Sequence, residues 1–67
     1  MDTPILPEVT VQLTGEDGNA FAILGAVLKA MRRARVAQEI QDAFKKEAMS
    51  GDYDNLLQTC MKYVNVE

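Results

Sequence analysis

Histidine and tryptophan are absent from this 67-residue chain, and it holds a single cysteine, two phenylalanines, two tyrosines and two prolines. Each shortage removes a class of chemistry. Without histidine there is no Cys–His or Ser–His nucleophile and no imidazole metal ligand. One thiol, Cys60, cannot close an intramolecular disulfide, so no disulfide framework carries the fold and a reducing, cytoplasmic setting is expected. The longest stretch free of charge is the eleven residues from Gly18 to Leu28, about half the ~20 residues of a membrane span. The opening MDTPILPEV has an acid at position 2, no basic n-region and two prolines in its apolar part, so it does not read as a signal peptide.

What is present describes a single small domain. The hydrophobic fraction of 48% is that of a folded chain, and the net charge is −3. A domain of this length buries only roughly 60% of its unfolded-chain surface, so its stability is marginal without a partner. Charge is unevenly distributed: Lys29 to Lys46 holds six bases and two acids, and the remainder one base and eight acids. Such polarity can steer a partner in solution.

Residues 1–7 read as an extended lead-in, with Pro4 and Pro7 each removing a backbone donor, and residues 8–67 as one α+β domain. Val9-Thr10-Val11-Gln12-Leu13-Thr14 alternates with period two and predicts a half-buried strand with Val9, Val11 and Leu13 inward. The turn Gly15-Glu16-Asp17-Gly18-Asn19 ends it, and Asp17 or Asn19 can cap the first helix. From Ala20 to Arg33 the apolar period becomes helical, with Phe21, Leu24, Leu28 and Met31 as its stripe. Gly25 inside that helix costs about 1 kcal/mol against alanine unless close packing needs the room.

A second helical pattern, Val36 to Met49, comes next with neither glycine nor proline between. On a common wheel of ~100° per residue the apolar stripe jumps by about half a turn between the two, which predicts a break near Ala34-Arg35. Ser50-Gly51 closes the second helix, with Gly51 expected in the left-handed region, and Asp52 is the expected N-cap of a third. That helix carries Tyr53, Leu56, Leu57, Cys60 and Met61 on its apolar face, and Val64 to Glu67 reads as a short terminal strand. The expected core includes Phe21, Leu24, Leu28, Ile40, Phe44, Leu57 and Met61. The expected architecture is β-α-α-α-β, with the terminal strands paired on three helices; the alternative is a three-helix bundle with an extended N-terminal arm.

No catalytic, cofactor or metal motif emerges. The spacing Gly15-x-x-Gly18-x6-Gly25 fits neither the Walker loop nor the dinucleotide fingerprint, and Glu16-Asp17 would repel an anion. The acids lack the alternate spacing of a calcium loop. Lys29, Arg32, Arg33 and Arg35 form the one dense basic cluster and are the candidate partner-binding residues. No aromatic is interleaved with them, as stacking on nucleic acid would want, so a nucleic-acid accessory role is the second reading. The first is a protein-interaction or regulatory module without catalysis, whose partner is another protein or a second copy of the chain. The strand edge at Val9 to Thr14 favours a homodimer, because the short C-terminal segment cannot cover it all.

The runs GEDGNAFAILGAVLKAMRRA and EAMSGDYDNLLQTCMKYVNV resemble a group of small uncharacterised bacterial proteins, some associated with phage and mobile elements. GNAFAILG and SGDYDNLLQ are the specific strings. The resemblance implies a compact natural domain and a glycine-type turn where this chain has Arg35. It brings no catalytic or binding residues.

Overall fold

A computed structural model describes residues 4–12 and 19–67. The order is β1 (Leu6–Val11), α1 (Ala20–Arg33), α2 (Gln38–Ala48), α3 (Tyr53–Tyr63) and β2 (Val64–Val66), the expected β-α-α-α-β arrangement. β1 and β2 pair in parallel. Parallel neighbours need a long crossover, and here the three helices supply it. A two-stranded ribbon has no stability of its own. The helices therefore supply most of the buried surface, and the ribbon borrows it.

β1 starts earlier than period two suggests. The lead-in expected over residues 1–7 is already strand at Leu6, and Leu6 is buried with Val9 and Val11. Leu13 and Thr14, expected in the same strand, lie outside the described residues. The reason for the misread start is Pro7. Having no N–H, it cannot join the ladder, and the register slips there, from Leu6 opposite Val64 to Thr10 opposite Asn65. Pro7 and Glu8 both face out, which shifts the alternation by one residue. Asn65 repairs part of the loss by donating its Nδ2 to the Pro7 carbonyl at 2.6 Å.

α1 is capped by Asn19, whose Oδ1 accepts from the Phe21 N–H at 2.8 Å. Its buried face is Ile23, Leu24, Val27 and Met31. Phe21, expected in the core, is 73% exposed, and Met61 on α3 is 51% exposed. Both expectations fail for one reason: each helix is apolar on more than one side, and the packed side lies about one residue step around from the one chosen. Leu28, Ile40 and Leu57 lie at the core's margin, partly buried. Phe44 and Met31 fill its centre with Val27, Cys60 and Val64. On α2, buried Gln41 donates its Nε2 to the Val36 carbonyl at 2.9 Å. On α3, buried Thr59 donates its hydroxyl to the Asn55 carbonyl at 2.7 Å.

The break between α1 and α2 falls where the wheel puts it. The Arg35 N–H bonds to the Arg32 carbonyl and the Val36 N–H to the Met31 carbonyl, both within 3.1 Å. This is the paired closure of a Schellman turn, whose pivot takes the left-handed region. The pivot is Arg35, at φ 60°. The left-handed position expected at Gly51 does not exist: Gly51 lies outside that region, and a Cβ there would come within 3.0 Å of the Asn55 side chain. Gly51 thus serves a close approach. Gly25, by contrast, faces open space, with nothing within 4 Å of a Cβ.

A left-handed non-glycine residue costs roughly 1–2 kcal/mol, and an exposed helical glycine about 1 kcal/mol against alanine. Arg35→Gly and Gly25→Ala should each therefore raise stability by about 1 kcal/mol, and the two should add. Urea denaturation of the single and double variants checks this. An unchanged midpoint for Arg35→Gly would mean that the turn carries no strain.

α2 and α3 are clipped together through Glu47. Its carboxylate accepts from Lys62 Nζ at 2.8 Å and from the Tyr63 hydroxyl at 3.3 Å. Its backbone carbonyl accepts from Asn55 Nδ2 at 2.9 Å and Ser50 Oγ at 2.7 Å. The Lys62 ammonium holds Glu47 below its ordinary 4.5, and Glu47 in turn holds Lys62 above 10.5. Burial, then the Glu47 charge, pushes Tyr63 above 10.0. A carboxylate lowered by folding stabilises the fold above pH 4.5 and stops doing so as pH falls through its folded value. The raised Lys62 and Tyr63 act oppositely: their contribution is complete below their ordinary values and fades as pH rises past the folded ones. Glu47→Gln should make the fall in melting temperature between about pH 6 and pH 3 shallower than in the parent. An equally steep fall would remove Glu47 from the acid response.

Candidate functional site

The four cations singled out in the sequence do not share one surface. α1 projects successive side chains about 100° apart, so its last turns send them different ways. Lys29 and Arg33, four residues apart, line a groove between α1 and β1. Arg32 lines a second groove, between α1 and α2, with Asp42 and Lys45. Arg35 sits beyond the helix on the left-handed turn. The structure thus brings two of the four together and disperses the others.

The β1–α1 groove has a volume of about 460 Å³. One wall is residues 8–12, and the other is Ala26, Lys29, Ala30, Arg33 and Ala34 of α1. No β2 residue lines it, so it flanks the side of β1 turned away from its partner strand. The backbone geometry agrees. The Val11 carbonyl accepts from the Glu67 N–H at 2.9 Å, so Val11 addresses the β2 side. In an extended strand the N–H and C=O of one residue point the same way and those of its neighbours the opposite way. Thr10 and the N–H of Gln12, just past the end of β1, therefore face the groove. Among the described residues neither has a backbone partner there.

The cations facing this edge have, among the described residues, no ion-pair partner either. The ion pair formed among the described residues is Lys62–Glu47, between α3 and α2. Among the described residues the acid lining the groove is Glu8, exposed on the outer face of β1. The site thus combines unpaired strand groups, two cations one helical turn apart and small alanines that leave space. Chemically it can pair with backbone and attract anions. The sequence signal for the cations was direct; that for the edge was the alternation itself. The restriction to Lys29 and Arg33 needed the fold.

A third, apolar groove of about 230 Å³ lies between the start of α1 and the α2–α3 connection, with Phe21, Met49 and Tyr53 exposed along it. Asp52 at its margin is occupied as the N-cap of α3, its Oδ1 accepting from the Asn55 N–H at 2.9 Å. Cys60 is wholly buried, and burial pushes its thiol up to about 11. Among the described residues no group of three acids or cysteines is placed to hold a metal ion, and no helix is long and apolar enough to cross a membrane. Comparison with known proteins adds no likeness: no family model, curated protein or solved structure matches the chain.

Proposed function

We propose that the chain is a small protein-interaction or regulatory module, acting by holding another protein and performing no catalysis of its own. The observation that carries this reading is the edge of β1 that no described residue pairs, beside the Lys29–Arg33 wall of α1. A strand edge offers a row of ready-made donors and acceptors, and proteins that do not use such an edge cover or blunt it. The one thiol is buried with a pKa of about 11, so it offers no thiolate nucleophile near neutral pH. A reducing, cytoplasmic setting suits that free thiol.

The nucleic-acid reading is less well served, because Lys29, Arg32, Arg33 and Arg35 do not line a common groove. A homodimer remains a form of the interaction reading. The chain itself buries Val9 and Val11, so a second copy would have to pair through the backbone edge.

The test is a photo-crosslinking residue placed at Thr10, exposed on β1, or at Gln58, exposed on α3, in the cells that make the protein. Position 10 should capture one defined protein, identified by mass spectrometry, that position 58 does not. Equal capture at both positions would refute the assignment of the binding edge.

A further inference from the structure

We infer that the β1–α1 groove receives an extended acidic segment of the partner as an added strand, with carboxylates at alternate positions facing Lys29 and Arg33. This rests on the reading of β1 as a docking edge and goes beyond it by naming the partner's chemistry.

The lengths agree. Residues 8–12 extend about 13 Å along β1 at ~3.3 Å per residue, and Ala26 to Ala34 about 12 Å along α1 at ~1.5 Å per residue, so the walls suit an incoming strand of about five residues. The spacing also agrees. Lys29 and Arg33 are separated by about 6 Å of helical rise. Residues i and i+2 of a strand share a face and lie about 6.6 Å apart. An acid-x-acid pair on the face toward α1 therefore sets one carboxylate against each cation. Ala26 and Ala30 on the same wall leave room for those side chains. Glu8, on the outer face of β1, limits the pattern. Acids on the outer face of the new strand would meet it, so the residues between the acids should be neutral. Backbone pairing to Thr10 and Gln12 gives the segment its extended form, and the two cations give it its sign.

The experiment is fluorescence anisotropy with labelled nine-residue peptides titrated by the full chain. The first alternates glutamate and threonine; the second has lysine for glutamate; the third repeats the first with alternate amides N-methylated, keeping charge but losing strand pairing. Saturable binding of the first is expected, weakened at least tenfold for the N-methylated peptide and for the Lys29→Gln/Arg33→Gln variant, both sites being exposed on α1. Threonine–lysine binding as tight as threonine–glutamate binding would overturn the acidic assignment while leaving the docking edge standing. Equal binding of the N-methylated peptide would overturn strand addition, leaving charge alone. No binding of any peptide would overturn the inference, and the crosslinking at Thr10 would still judge the docking reading independently. Sedimentation at twice 7.4 kDa with the peptides excluded would give the edge to a second copy. A labelled single-stranded oligonucleotide binding more tightly than the acidic peptide would give the cations to phosphate.

Discussion

Phe44→Ala is expected to cost about 3–5 kcal/mol and to leave much of the population unfolded at room temperature. Phe44 has no exposed surface, and its ring meets Tyr63 edge-on at 5.3 Å between centroids and 73° between planes. Such a pair adds to the burial energy, because the positive edge of one ring faces the negative face of the other. Tyr63 also reaches Glu47 through its hydroxyl, so the void would loosen the contact that clips α2 to α3. A 67-residue chain has roughly 3–10 kcal/mol of stability in total, at ~0.05–0.15 kcal/mol per residue. The loss is therefore comparable with the whole. Circular dichroism with urea titration measures it, and a loss below about 1 kcal/mol would mean that Phe44 is not the centre of the core.

Cys60 should resist a thiol reagent in the folded protein by at least about a hundredfold relative to the urea-unfolded chain. Two causes act together. The side chain is completely buried, so the reagent must wait for the fold to open. Burial also pushes the thiol up to about 11, which depletes the thiolate that reacts. Stopped-flow absorbance with an aromatic disulfide at about pH 8 follows the reaction. Phe44→Ala should release most of the protection, since Phe44 and Cys60 belong to the same buried cluster. Reaction of the parent protein as fast as the unfolded chain would contradict the buried assignment.

The fold was legible where one physical cause acts alone. Hydrophobic phase located the break at Ala34-Arg35, although the turn needed a left-handed residue and the chain offers arginine there. Asp52 read correctly as a cap because a carboxylate next to free N–H groups has a single local purpose. Reading failed where causes compete. α1 is apolar from Phe21 to Leu28 on nearly every side, so only its packing against β1 and the other helices chooses Ile23, Leu24, Val27 and Met31. On α3 the buried face includes Thr59 and Tyr63, which polarity argues against. Thr59 enters the core because its hydroxyl satisfies itself on the Asn55 carbonyl. The candidate site divides in the same way. Local charge density identified Lys29 and Arg33, but sequence proximity grouped them with Arg32 and Arg35, which the helix and its turn send elsewhere. The free strand edge could be suspected from alternation, while its alignment with the two cations exists only in the fold.

The central claim is that β1 pairs along one edge and that no described residue pairs along the other. Amide hydrogen exchange, resolved by NMR for single residues of the free protein, tests it most directly. Val11, paired with β2, should exchange slowly, at a rate set by unfolding, whereas Thr10 beside it should exchange close to the rate of an unprotected amide. A Thr10 amide as well protected as that of Val11 would show the edge already occupied, and the docking surface proposed for it would not exist.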